Sequence, residues 1–289
     1  MSEAGASGSS GRRGVVLGGG GVTGIAWMTG MLAGLLEEGV DLSGADLVVG
    51  TSAGSAVGAQ LTTGLDLPEL LERQLAPVEP GAPYAVLGTR VLLGFGWAML
   101  RSRGDLEGFG RRLGQWSVDR AAAGKLPSLE ERYAAIRSRL PVQEWPAPGR
   151  LVVTAVDADT GELRTFDGSD DVPLVDAVAA SCAVPGVYPP VPIGGRRYVD
   201  GGARSTANAD LAASCAKVVA LTPIPRAAGP MKSAQAQLGG KPSVIIAPDE
   251  GARAAIGKNV LDPAARPGSA REGLRQGRAA AAEVGGLWG

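Results

Sequence analysis

The sequence predicts an α/β domain built on a mainly parallel central sheet, with helices on both faces and a helical insertion. Three observations predict it. Two short uncharged or nearly uncharged runs, "GVVL" (14–17) and "ADLVVG" (45–50), each lead into a glycine-rich turn and then a helical pattern. A parallel sheet covered on both faces has strands of this kind, because neither side of the strand meets water. Sheet-like sequence then returns after a long, proline-broken helical stretch, residues 65–148.

The elements follow in order. "MSEAGASGSSGRR" (1–13) is small, polar and without apolar periodicity, and reads as a flexible tail. The uncharged run 14–36 has the length of a signal peptide or a span, but it holds four successive glycines, 18–21. Each would cost about 1 kcal/mol in a helix interior, which argues against both readings. "GIAWMTGMLAGLLEEG" (24–39) reads as a helix with Ile25, Met28, Leu32, Leu35 and Leu36 on one side and Gly39 at its end. "SAVGAQLTTG" (55–64) starts a second helix. "LVVTAVDA" (151–158) and "LRTFDG" (163–168) flank the turn "DTGE" and read as a hairpin, with Asp157 and Asp159 in turn and structural roles. "PLVDAVAASCAVP" (173–185) is a helix, "RRYVDGG" (196–202) a short strand into a turn, and "AKVVALTPI" (216–224) and "SVIIAPD" (243–249) later strands. An alanine- and arginine-rich helix, 267–284, closes the chain.

Composition bounds the function. The 289 residues carry a net charge of −1 and are 45% hydrophobic, an ordinary globular balance with no basic excess to suggest nucleic acid. The two cysteines, Cys182 and Cys215, cannot make a disulfide framework and lack metal-site spacing, so they read as buried small hydrophobes. No metal and no cofactor is expected.

The two glycine turns raise different chemistries. Gly19, Gly21 and Gly24 satisfy G-x-G-x-x-G between a strand and a helix, the setting of a dinucleotide site. That site also wants an acidic residue at the end of the second strand, and here the strand ends in Gly50-Thr51-Ser52. Gly50 to Gly54 instead form G-x-S-x-G at a strand-to-helix junction, where a sharp elbow lifts a serine hydroxyl off the sheet. Small residues two before and two after are needed because the turn brings their backbones together. A nucleophilic serine needs a base, and the chain has no histidine. A lysine or a carboxylate set directly against the hydroxyl remains. "YVDGG" (198–202) offers Asp200, with Gly201 and Gly202 allowing close backbone approach, although Asp-Gly-Gly alone is usually just a turn.

Taken together, these residues resemble the patatin-like phospholipase family, which has a glycine-rich loop after the first strand, then G-x-S-x-G, then a late D-G-G. "LVVTAVDADTGELRTF" resembles its middle strand pair and "DAVAASCAVPGVYPPV" the helix and proline turn before the aspartate. The likeness runs from residue 14 to about 211, apart from most of 65–148. It implies a three-layer fold in one domain, 14–289, with a variable helical insertion at about 65–148. It implies a lipid acyl hydrolase with Ser52 as nucleophile, Asp200 as general base, and an oxyanion held by the backbone N–H groups of Gly18, Gly19, Gly20 and Gly21. Gly50, Gly54, Gly201 and Gly202 would support the two catalytic turns. A free aspartate has a pKa of about 3.9, so partial burial should raise that of Asp200. Many members carry arginine or lysine where Thr23 stands, and histidine or another polar residue at Trp27. The loop therefore brings no positive charge to the oxyanion, which bears on charged headgroups more than on acyl chemistry.

The expected substrate is a lipid or other acyl ester. An acyltransferase or cyclising enzyme would use the same acyl-enzyme. A non-catalytic binding protein and a dinucleotide-binding oxidoreductase are the readings from other classes. A cytoplasmic protein, peripheral at the membrane, is expected. "VLLGFGWAML" (91–100), between Arg90 and Arg101, is too short for a span, which needs about 20 residues. It reads either as a buried helix or loop, or as a lid. The lid would dip into lipid through Phe95 and Trp97, with the arginines on anionic headgroups and Gly94 and Gly96 loosening the segment.

Overall fold

The computed structural model describes residues 11–78, 85–225 and 231–289. Strand β1 (Arg13–Leu17) leads into helix α1 (Gly21–Glu37), and β2 (Leu47–Thr51) into α2 (Ala53–Thr62). The helical stretch supplies α3 (Leu67–Leu75), α4 (Thr89–Ser102), α5 (Leu106–Ala122) and α6 (Leu129–Arg137). The hairpin β3 (Leu151–Asp157) and β4 (Leu163–Phe166) follows, then α7 (Leu174–Ser181), β5 (Val191–Ile193) and β6 (Arg196–Asp200). The chain finishes with β7 (Lys217–Leu221), α8 (Ala234–Leu238), β8 (Ser243–Ile246), α9 (Glu250–Ile256) and α10 (Arg266–Trp288).

The strands form one eight-stranded sheet in the order β5-β6-β3-β2-β1-β7-β8, with β4 also paired to β3. The five strands from β3 to β8 in that order pair parallel, and β4 and β6 run antiparallel to β3. Register then places the chemistry. Thr51 lies opposite Thr154, and the next residue of β3, Ala155, lies opposite Asp200. Ser52, one step beyond Thr51, is thereby brought level with the aspartate.

Helix α1 differs from the one-sided helix its periodicity predicts. It is buried from Thr23 to Leu35 on every face, because α10 and α3 cover the side turned away from the sheet. The α1–α10 crossing is close. A Cβ at Gly30 would lie 2.2 Å from the Ala270 carbonyl oxygen, and one at Gly273 would lie 2.2 Å from that of Trp27. Of the expected tail, residues 1–10 lie outside the described residues. The last two residues of that run are ordered against the sheet: Arg13 opens the interior strand β1 and pairs with Lys217, and the Ala216 N–H donates to the Arg12 carbonyl. Strand β5 begins at the last residue of the run read as a helix and proline turn, and α8 and α9 are additions to the expected elements. Among the described residues, no helix is long and apolar enough to cross a membrane.

Candidate active site

Ser52 sits at the elbow with φ 54° and ψ −118°, a left-handed backbone that costs a non-glycine residue roughly 1–3 kcal/mol. The surroundings fix it there. Its N–H donates to the Ser181 hydroxyl at 2.9 Å, and its carbonyl accepts from both the N–H and the hydroxyl of Ser55. The flanking glycines are required by space: a Cβ at Gly50 would lie 2.6 Å from Ser55 Cα, and one at Gly54 only 1.8 Å from the Leu17 carbonyl oxygen.

Asp200 ends β6 and is 4% exposed. Its N–H donates to the Ala183 carbonyl, and its Oδ1 accepts from the Gly202 N–H at 2.7 Å. A Cβ at Gly201 would strike the Thr154 hydroxyl at 2.3 Å, so the turn packs directly onto β3. Burial pushes the carboxyl up to about 6, against the Ser52 side chain, the Gly202 N–H and the charge of Arg132, which hold it down. Ser52 and Asp200 both line one cavity of about 340 Å³, walled by Val91, Phe95, Val184 and Leu261. Asp200 is the one ionisable side chain among its described lining residues. The other acids of the hairpin stay structural. Asp157 takes two backbone N–H groups and Arg196, and Asp159 pairs with Arg197.

Beneath the two turns lies a network with no motif to announce it. The Asn208 side-chain amide donates to the Thr51 hydroxyl at 3.0 Å, to the Thr154 hydroxyl at 3.3 Å, and to the carbonyls of Gly201 and Ser205. The Thr51 and Thr154 hydroxyls are themselves 2.9 Å apart. Asn208 thus ties the residue before Ser52 to the residue after Asp200.

The glycine loop is narrower as an anion site than its sequence suggests. The Gly18 N–H donates to the Leu221 carbonyl at 2.9 Å and the Gly19 N–H to the Thr206 carbonyl at 2.8 Å. Those two donors are spent on holding the loop to the sheet. Among the described residues, the N–H groups of Gly20 and Gly21 have no backbone acceptor, as expected where α1 begins. Thr23 and Trp27 face away from any charge role. The Thr23 hydroxyl donates to the Val260 carbonyl, and the fully buried Trp27 donates its indole N–H to Gln276 on α10.

Residues 91–100 are helical within α4, and Phe95 and Trp97 part company there. Phe95 turns inward, edge-on to Phe109 and into the cavity beside Ser52. Trp97 is 50% exposed, on a face shared with Leu93 and Leu100. Gly94 lies flat against the Trp116 ring, where a Cβ would come within 2.6 Å.

The site also holds two arginines that sequence reading passed over, because they fall in the insertion that carries no motif. Arg132 of α6 is 4% exposed, donates Nη2 to the Cys182 carbonyl at 3.0 Å, and stacks 3.9 Å over the Tyr188 ring. Arg139 follows the helix, and burial together with the neighbouring Arg132 charge lowers its pKa. Both line a narrow cavity of about 20 Å³ that reaches Ser52, and both line a cleft of about 730 Å³ outside it.

With this geometry in place, comparison with known proteins decides the family. The family model described as patatin-like phospholipase matches residues 15–213. The chain belongs to the patatin-like phospholipase family. Membership places it among hydrolases of lipid esters. Solved structures similar to this patatin-like chain include VipD from Legionella pneumophila, at 13% identity and TM-score 0.46, covering 95% of this chain and 67% of VipD. The type III effector protein ExoU is similar at 17% identity and TM-score 0.41, covering 95% of this chain and 53% of ExoU. No curated protein matches the chain.

Proposed function

We propose that this patatin-like chain hydrolyses lipid acyl esters through a Ser52–Asp200 dyad. The observation that carries the reading is that a strained Ser52 and a buried Asp200 share the wall of one apolar cavity. Asp200, with a pKa of about 6, is ionised at neutral pH yet more basic than an ordinary aspartate. It accepts the Ser52 proton as Oγ attacks the ester carbonyl. The tetrahedral oxyanion is held by the N–H groups of Gly20 and Gly21, the donors of the loop left without a backbone acceptor. Collapse expels the alcohol, which takes the proton from Asp200 and leaves an acyl-enzyme. Water, activated by the same carboxylate, then releases the fatty acid. The apolar cavity holds the acyl chain, and the exposed apolar face of α4 meets the lipid surface from which that chain arrives.

A fluorophosphonate probe tests the nucleophile, because only an activated serine reacts. Labelling is expected at Ser52 alone, and Ser52→Ala should abolish both labelling and hydrolysis of a short p-nitrophenyl ester while the protein stays folded. Labelling elsewhere, or activity in the variant, would overturn the assignment.

A further inference from the structure

Two clefts meet at the serine. The apolar chamber and the narrow arginine-lined cavity have Gly21, Ser52, Val184 and Leu261 in common. The narrow cavity and the larger outer cleft share Val22, Arg132, Arg139, Tyr188 and Leu261 as walls, so they lie side by side. Arg132 acts on the Asp200 carboxyl through its charge, but no anion is paired with either arginine among the described residues. Among the same residues the Arg132 Nε, fully buried, has no acceptor. Glu131, which also lines the outer cleft, folds back on the Ser128 N–H and hydroxyl at 2.8 and 3.0 Å and does not neutralise them. A buried guanidinium without a paired counter-charge is unfavourable, and this one is held in place by the Cys182 carbonyl and the Tyr188 ring. Such an arrangement is pre-organised for an anion, and a guanidinium fork matches phosphate oxygens two at a time.

We propose that Arg132 and Arg139 form the subsite for the phosphodiester of a phospholipid substrate, an inference that rests on the Ser52–Asp200 acyl-hydrolase reading. The connectivity of a phospholipid fits the two clefts. From its ester carbonyl, one branch is an acyl chain and the other a glycerol carrying a phosphate. With the carbonyl at Ser52, the chain enters the chamber and the phosphate enters the arginine cleft. The positive charge that Thr23 does not bring to the glycine loop is supplied from α6 and the residues just after it.

The test uses monomeric substrates, so that no membrane is involved: dihexanoyl phosphatidylcholine below its micelle concentration, and the neutral dihexanoylglycerol. In Arg139→Gln, the ratio of kcat/KM for phosphatidylcholine to that for diacylglycerol should fall about 10- to 100-fold, through KM, as expected for a lost charged hydrogen bond. Arg132→Lys, which keeps the charge and loses the stacked fork, should give a smaller fall in the same ratio. Glycerophosphocholine should inhibit diacylglycerol hydrolysis by the wild type more strongly than by Arg139→Gln. An unchanged ratio, or equal losses on both substrates, overturns the subsite and gives the arginines a structural role. Relief of inhibition by inorganic phosphate without any change in the ratio also overturns it, in favour of a free-anion site. If the wild type hydrolysed neither ester and resisted fluorophosphonate, the dyad reading would be the one to fail. Equilibrium binding of glycerophosphocholine to wild type and Arg139→Gln then decides the subsite: weaker binding by the variant supports it, and equal binding overturns it.

Discussion

The chamber and the arginine cleft share Ser52 but handle charge in opposite ways. Around the chamber, apolar walls leave Asp200 as the one ionisable group among the described lining residues, and burial raises its pKa to about 6. In the cleft, burial and a like charge lower the pKa of Arg139. Desolvation disfavours the ionised form in both places. In one, that produces a stronger base near neutral pH. In the other, it produces a cation that gains from meeting an anion. In the reading proposed above, the same physical term prepares chemistry on one side of Ser52 and recognition on the other.

If that division holds, the largest effect belongs to the residue at the junction. Asp200→Asn keeps the shape and removes the proton acceptor, so kcat should fall about 10²–10⁴-fold. The loss should be equal on neutral and phosphate-bearing esters, because both use the same carboxylate. In the wild type, kcat/KM should rise with pH through about 6 and level off above it, as Asp200 gives up its proton. Initial rates on both substrates between pH 4 and 9 check this. A loss confined to one substrate would mean that the two clefts do not share one base.

The next effect is on stability. The folded-state pKa of Asp200 is raised from its ordinary 3.8 to about 6, so folding takes up a proton across that range. Its contribution is most favourable below about pH 4 and is lost as the pH rises through 6, an amount of about 3 kcal/mol at full extent. Asp200→Asn should therefore be more stable than the wild type at pH 8 by up to about 3 kcal/mol, with the difference shrinking towards pH 4. Urea unfolding at the two pH values measures it. An identical difference at both would show that the chamber does not burden the ionised carboxylate.

The chamber side was largely legible in the sequence and the cleft side was not. Glycine turns and uncharged runs locate β1, β2, α2 and the elbow: Gly50 is demanded by contacts within the elbow itself, and Gly54 by the close pass of β1 at Leu17. Asp200 was legible as a D-G-G turn once histidine was absent. Strand β5 was hidden by its length and by the prolines around it. The capping box of Ser128 and Glu131 marks the start of α6 locally. No local signal says that Arg132 lines a cavity with Ser52, since that depends on how α6 packs against α7. Asn208 is hidden for the same reason: its partners Thr51 and Thr154 are far away in the chain. The glycine loop reads as four equal donors in sequence, and only the fold shows that Gly18 and Gly19 are engaged.

The smallest expected effect concerns α4, which reaches the chamber through Val91, Leu92 and Phe95 while leaving Leu93, Trp97 and Leu100 outside it. Leu100 is 77% exposed, and Arg101 lies 5.7 Å from the Trp97 ring, so an apolar face and a cation share one surface. That surface suits the interface of an anionic membrane, with the aromatic ring at headgroup depth. Burying one large apolar side chain in lipid is worth about 1.5–3 kcal/mol. Trp97→Ser should thus lower hydrolysis of phosphatidylglycerol-containing vesicles about tenfold, while turnover of a monomeric short-chain ester changes less than about twofold. In the wild type, tryptophan fluorescence should shift to the blue on adding those vesicles, and most of the shift should disappear in Trp97→Ser, since Trp27 and Trp288 are buried and Trp116 and Trp145 partly buried. Equal losses on vesicle and monomer, with no spectral response, would make α4 a wall of the chamber and nothing more. The lipid would then have to reach both clefts by another face.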